Sequence, residues 1–152
     1  MGATAVPIDD RLAIQDLVAR YSYYCDTQQY RKCAGLFAEE GQFDETVIGI
    51  PFCDGRPAID TTFRGMEGLI DYLIHLTSNH RISDFDGDQA TGTVHVHVLG
   101  RYLGTDLQVL GYYTDDYVKQ HNRWLFARRR LVEIAPSVGL DALQADAPAA
   151  PS

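Results

Sequence analysis

The first part of the chain repeats apolar residues with the period of an α-helix. Between Pro7 and Asp26 these residues fall on one stripe at spacings of three and four: Ala13, Ile14, Leu17, Val18, Tyr21, Tyr24 and Cys25. Asp9 is a candidate N-cap for this helix. A shorter helix with the same spacing follows Thr27, includes Tyr30, Cys33, Ala34 and Phe37, and ends before Gly41. The pattern predicts two N-terminal helices, each with one buried face.

The middle of the chain changes its pattern twice. Residues 42–50 are rich in Phe, Val and Ile, which favours a strand, and a long connection with turn chemistry follows. Residues 61–64 indicate a second, short strand that ends at Gly65. A helical repeat then predicts a third helix that ends near Ser78. Its apolar positions are Met66, Leu69, Ile70, Leu73, Ile74 and Leu76.

The rest of the chain has the pattern of antiparallel strands. The Asp86-Gly87 turn joins segments 80–85 and 90–102, because Asp-Gly readily adopts the positive φ of a tight hairpin. Further turns lead to strands at 107–120 and 124–134. From residue 136 onward Ala and Pro dominate, so residues 136–152 are predicted to be a C-terminal tail.

These elements predict an α+β fold. Three helices would pack on the concave face of a curved, mostly antiparallel sheet and give a cone with an apolar interior. Such an interior is suited to holding a small molecule. Residues 1–135 are expected to form this single domain.

Composition narrows the possible partners and location. The 152 residues carry 21 acidic and 13 basic side chains, a formal charge of −8 that disfavours nucleic acid and anionic membranes. Three cysteines without metal-ligand spacing, and an N-terminus without a signal-peptide pattern, favour a reducing cytoplasm. Disulfides and structural zinc are not expected.

Candidate chemistry rests on acid–base side chains. The chain lacks phosphate-binding glycine loops and the serine-hydrolase and zinc-protease motifs, so no cofactor is predicted. Asp26 lies at the end of the first helix, Tyr21 lies in its apolar stripe, and His80 opens a predicted strand. The simpler interpretations are a solvated Asp26, a core Tyr21 and a structural His80. His95 and His97 share a strand face, but without a third ligand they fit an interface better than a metal site.

Several short motifs occur in an order that resembles the SnoaL-like branch of the nuclear transport factor 2-like superfamily. Together they span residues 9–134: Ile14-Gln15-Asp16-Leu17 with Tyr21, Asp26 with Tyr30 and Leu36-Phe37, Phe63-Arg64-Gly65-Met66, His80 before an Asp-Gly hairpin, and Gly111 through Arg129. The resemblance implies the cone fold. It does not specify one activity, because this fold supports dehydratases, dehydrohalogenases, isomerases, cyclases and noncatalytic subunits.

The resemblance implies an acid–base dyad. Dehydratases and a dehydrochlorinase of this family have an Asp at the end of the first helix and a His that opens a later strand, and these positions match Asp26 and His80. One dehydratase has a functional Tyr at the position of Tyr21, whereas Cys25 replaces a functional Tyr of another. We therefore expect His80 within a hydrogen bond of Asp26, with Tyr21 nearby. On the pocket wall we expect Tyr24, Phe43, Tyr113 and Arg129.

The predicted function is a cofactor-independent lyase or isomerase that acts on a small hydrophobic, cyclic carbonyl or hydroxyl compound. The alternatives are a noncatalytic binding or accessory protein of the same fold, or a polyketide cyclase. We also expect a homodimer, or a higher homo-oligomer, through the outer face of the sheet, because the face that carries His95, His97 and the aromatic residues of the later strands needs cover.

Overall fold

Three α-helices and six strands form the part of the chain that the computed structural model describes, residues 5–140. The helices are α1, Ile8–Asp26; α2, Tyr30–Ala34; and α3, Arg56–Arg64. The strands are β1, Phe37–Asp44; β2, Cys53–Asp54; β3, Ile70–Phe85; β4, Gln89–Tyr102; β5, Thr105–Gln120; and β6, Arg123–Val138. One turn of 3₁₀-helix, Thr46–Ile48, follows β1.

The six strands form one sheet in the order β2-β1-β6-β5-β4-β3. Among these six strands within residues 5–140, β1 and β6 pair in parallel, and the other neighbours pair antiparallel. The helices cover one face of this sheet, with α1 against β3 and β6. The predicted α+β class and the predicted mostly antiparallel sheet are confirmed.

The third helix lies earlier in the chain than predicted. Residues 61–64, predicted as a strand, form the end of α3. Pro57 lies in its first turn, where a proline costs no hydrogen bond. Ile59 and Phe63 are four residues apart and both buried, which anchors the helix against the core. The β-branched threonines between them gave the misleading strand signal.

The segment predicted as the third helix is the first half of β3 instead. Its apolar residues lie on both faces of the sheet: Leu73 points toward the helices, whereas Tyr72, Ile74 and Leu76 are 44%, 45% and 53% exposed on the other face. A strand that is apolar on both faces loses the alternation that normally distinguishes it from a helix. The prediction over residues 66–78 was therefore wrong.

The ends of the first and last long strands also differ from the prediction. β1 begins at Phe37 rather than at residue 42, so Phe37 belongs to the sheet. β6 continues to Val138, and Leu140 is buried against the core. The predicted boundary at residue 135 therefore falls inside a strand, because Val138 pairs with Gln108 of β5. Residues 141–152 of the predicted tail lie outside the described part.

The core lies between the helices and the concave face of the sheet. Aromatic rings fill its centre in edge-on contacts, with Tyr21 against Phe37, Phe63 and Phe126 at centroid distances of 5.8–6.3 Å. Within residues 5–140, no helix combines the length and apolarity needed to cross a membrane.

Candidate active site

A cavity opens between the helices and the sheet. Its volume is about 80 Å³, measured as the space that the centre of a water molecule can reach. By the same measure, one water molecule needs about 10–15 Å³. Most of its wall is aliphatic or aromatic. The polar groups on the wall are Tyr21, Cys25, Tyr30, Glu45, His75 and Tyr113. This arrangement suits a small apolar molecule with few polar substituents.

Asp26 holds His75 at the edge of this cavity. Oδ1 of Asp26 lies 2.6 Å from Nδ1 of His75. The backbone N–H of His75 also donates to Oδ1 and Oδ2 of Asp26, at 3.1 and 3.0 Å. The imidazole and the backbone N–H of His75 thus both contact the Asp26 carboxylate. This arrangement favours the His75 tautomer that carries the proton on Nδ1. Nε2 is then free to accept a proton from a molecule in the cavity.

The electrostatic surroundings of His75 favour a basic imidazole. Its side chain is 6% exposed and that of Asp26 is 23% exposed. Desolvation lowers the pKa of His75, but the hydrogen bond to Asp26, the nearby Cys25 and the negative charge of Asp26 together outweigh it and raise the pKa above the ordinary value. A raised pKa makes the neutral imidazole a stronger proton acceptor.

His80 is not the partner of Asp26, contrary to the sequence prediction. Its Nε2 lies 3.1 Å from the hydroxyl of Tyr117. His80 lies within an irregularity of β3 between Ser78 and Arg81, where Asn79 has a φ of +53°. Because β3 starts at Ile70, the histidine that faces the end of α1 comes five residues before His80. Because residues 66–78 were predicted to be a helix, His75 was not recognised as a strand residue that could face Asp26.

The other predicted pocket residues divide into two groups. Tyr21, Phe43 and Tyr113 lie on the cavity wall. The ring of Tyr21 also packs edge-on against that of His75, at a centroid distance of 5.9 Å. Tyr24 does not line the cavity. It is partly buried against the core, and its ring centroid lies 5.8 Å from Nζ of Lys32.

Glu45 is a cavity residue that the sequence analysis missed. It follows β1 directly, is 7% exposed, and accepts a hydrogen bond of 3.1 Å from the hydroxyl of Tyr113. Desolvation raises the pKa of Glu45, although His75, Tyr113 and Arg129 oppose this. The sequence signal was weak, since Glu45 lies at the end of an acidic stretch typical of a solvated turn.

Arg129 lies behind the cavity wall rather than on it. It forms a two-pronged ion pair with Asp115, with both distances 2.8 Å and both side chains fully buried. Its guanidinium carbon lies 4.4 Å from the ring centroid of Tyr21 and 4.1 Å from that of Tyr113. Arg129 is therefore neither the predicted substrate contact nor a solvated arginine.

A strand irregularity explains how Arg129 enters the core. Strict alternation would place it opposite Phe126, yet both residues are buried. The pairing of β5 with β6 shifts between Asp116 and Tyr117, which adds one residue to β6 at this point. A bulge of this kind redirects the side chains that follow it.

Solved structures with similar folds include enzymes and provisionally named proteins. A Novosphingobium aromaticivorans protein provisionally assigned as a scytalone dehydratase is 25% identical, with a TM-score of 0.79 over 87% of this chain and 88% of that one. A second protein from this organism, provisionally assigned as an aromatic ring hydroxylase, is 27% identical, with a TM-score of 0.84 over 89% and 96%. Hexachlorocyclohexane dehydrochlorinase type 2 is 22% identical, with a TM-score of 0.74 over 84% and 87%, and supports the fold.

The match to a family profile covers nearly the whole described domain. The SnoaL-like domain profile matches residues 6–130, from the start of α1 to the middle of β6. This range includes Asp26, Glu45 and His75. The chain belongs to the SnoaL-like domain family.

Proposed function

We propose that this chain is a cofactor-independent lyase or isomerase that removes a carbon-bound proton from a small hydrophobic, cyclic carbonyl or hydroxyl compound. The observation that supports this most strongly is the Asp26–His75 pair, with its imidazole on the wall of an apolar cavity. An imidazole fixed in one tautomer by a carboxylate is a suitable general base.

The first step of the proposed reaction is proton transfer to His75. Nε2 accepts a proton from the carbon next to the substrate carbonyl, and the Asp26 carboxylate stabilises the imidazolium that forms. The Tyr21 hydroxyl donates a hydrogen bond to the carbonyl oxygen as negative charge develops there. Burial raises the pKa of Tyr21 well above its usual value, so it remains a donor.

The second step requires a proton donor, and Glu45 is suited to this role. Its raised pKa favours the protonated acid, and Tyr113 orients it by donating to Oε1. In an elimination, Glu45 protonates the departing hydroxyl as the C–O bond breaks, and water leaves. In an isomerisation, the same proton is delivered to carbon. Glu45 thus acts as the proton donor and His75 as the proton acceptor, each in its own environment on the cavity wall.

The similar proteins support this class of reaction by their names. One is provisionally assigned as a dehydratase and another is named as a dehydrochlorinase; both names denote elimination reactions, and the chain shares their fold. The proposal for this chain rests on its own residues at the cavity, since the provisional hydroxylase has a similar fold.

Hydrogen–deuterium exchange tests the proton-abstraction step without knowledge of the natural substrate. Small cyclic ketones in D₂O should exchange their α-protons faster with the wild-type chain than without it. His75→Ala should lower the catalysed rate by about 10²–10⁴-fold. The matched control is His80→Ala, which changes the other histidine on β3 and should keep the wild-type rate.

The noncatalytic alternative predicts a different result in the same experiment. Cyclic ketones would bind in the cavity, shown by perturbed signals of Tyr21 or His75, yet their α-protons would exchange at the background rate. Binding without exchange across the ketone panel would replace the enzyme proposal with a ligand-binding function.

We further propose that the chain acts as a homodimer in the cytoplasm. The outer face of the sheet exposes large apolar side chains: Tyr72, Ile74, Leu76, Leu99, Leu110 and Ile134. A contiguous apolar surface of this kind is commonly covered by a second copy. Light scattering should give twice the monomer mass for the wild type and a monomer for Leu76→Asp. A monomeric wild type at high micromolar concentration would contradict the dimer.

A further inference from the structure

Two cysteine thiols meet where α1 and α2 pack together. Sγ of Cys25 lies 3.0 Å from Sγ of Cys33, within hydrogen-bonding distance for sulfur. Cys25 is the penultimate residue of α1 and Cys33 lies in α2. Both side chains are buried, and the proton-transfer steps proposed above use neither of them.

The two thiols differ in access and in acidity. Cys25 lines the cavity, whereas Cys33 is fully buried behind it. The hydrogen bond with Cys33 lowers the pKa of Cys25 against the effect of desolvation, and the charge of His75 lowers it further. Burial raises the pKa of Cys33 well above its usual value. A small molecule in the cavity therefore meets the more acidic thiol first.

We propose that Cys25 and Cys33 form a dithiol that a small hydroperoxide oxidises to an intramolecular disulfide on the cavity wall. The Cys25 thiolate attacks the peroxide oxygen, the O–O bond breaks, and Cys25 becomes a sulfenic acid while the peroxide is reduced to an alcohol or water. The Cys33 sulfur then attacks the Cys25 sulfur. The S–S bond forms and the sulfenic oxygen leaves as water with the Cys33 proton.

The geometry requires little movement for this reaction. A disulfide has an S–S length of about 2.05 Å, so the sulfur atoms need to approach by only about 1 Å from their separation of 3.0 Å. The bond would join α1 to α2 beside Asp26. The third cysteine provides an internal control, because the Cys53 thiol contacts Thr62 and Pro51 rather than another thiol. Burial raises the pKa of Cys53.

Hydrogen peroxide added to the reduced wild-type chain tests this proposal directly, and no turnover is needed. Before alkylation, intact mass should show a loss of about 2 Da for the two thiol hydrogens. After alkylation the chain should carry one alkyl group instead of three, and peptide mapping should show Cys25 linked to Cys33. Cys53 should remain alkylated. Loss of the Cys25 thiol should be at least about tenfold faster than loss of the Cys53 thiol.

Two variants separate the roles of the sulfur atoms. Cys33→Ser should accumulate a sulfenic acid at Cys25 that dimedone traps, and Cys53→Ser should still form the disulfide. The proposal is overturned if the wild-type chain forms no Cys25–Cys33 bond while Cys25 and Cys53 oxidise at the same rate. Because that comparison uses the wild-type chain, it holds even if Cys33→Ser fails to fold.

Discussion

Two histidines on β3 have opposite environments, although both point toward the helices. His75 is paired with a carboxylate and faces the cavity, whereas His80 contacts the neutral hydroxyl of Tyr117. The pKa of His75 is raised despite its desolvation. Desolvation lowers the pKa of His80; Asp115 opposes this and Arg129 adds to it. Burial alone therefore gives a neutral histidine, and a directly bonded carboxylate converts it into a strong proton acceptor.

The residues around His80 form a hydrogen-bond and ion-pair network that does not line the cavity. Tyr117 donates to Asp115 at 2.9 Å, and Asp115 binds Arg129 inside the core. Arg129 in turn packs against Tyr21 and Tyr113, which are two walls of the cavity. The His80 network thus packs against two residues of the cavity wall. It does not line the cavity itself, where a substrate would lie.

The largest expected effect is on the free energy of unfolding, and it lies in the His80 network. Asp115→Ala leaves Arg129 buried without its partner and should destabilise the fold by about 3–5 kcal/mol. Asp106→Ala is the matched control: it breaks the exposed Arg101–Asp106 pair at 2.7 Å and should cost less than about 1 kcal/mol. Urea denaturation measures both. Equal costs would mean that burial of the Asp115–Arg129 pair has no energetic importance.

The next effect is on reactivity, and it lies in the His75 network. Asp26→Asn keeps the size of the side chain but removes the charge that stabilises the imidazolium, so ketone α-proton exchange should fall by roughly a hundredfold or more. Tyr117→Phe removes the partner of His80 and should leave exchange near the wild-type rate. If Tyr117→Phe lowers exchange as much as Asp26→Asn, the assignment of the two networks is reversed.

A smaller and more selective effect is expected for Glu45→Gln. The amide cannot supply the proton that the leaving hydroxyl needs, so elimination from a cyclic β-hydroxy ketone should slow by roughly 10–100-fold. Exchange of α-protons requires only the base and should continue. Ultraviolet absorbance of the conjugated ketone follows elimination, and NMR follows exchange. Equal losses in both assays would indicate that Glu45 only shapes the cavity.

The fold and the position of Asp26 were predictable from the sequence, but His75 as the partner of Asp26 was not. The stripe of α1 and the Asp-Gly hairpin specify the helix before Asp26 and the β3–β4 pair. His75 was hidden because β3 is apolar on both faces, which resembles a helical repeat. The buried position of Arg129 depends on a bulge, and that of Glu45 depends on a buried turn. Neither feature can be recognised from the alternation of apolar and polar residues along a strand.

Titration of the two imidazoles by NMR tests the central claim most directly. Above its raised pKa, His75 should be the neutral tautomer that carries its proton on Nδ1, and at pH 6.5, about the ordinary pKa of histidine, His75 should be more than half charged and His80 less than half. Addition of a cyclic ketone should shift the signals of His75 and leave those of His80 unchanged. A higher pKa for His80, or a ketone response confined to His80, would contradict the assignment of His75 as the base.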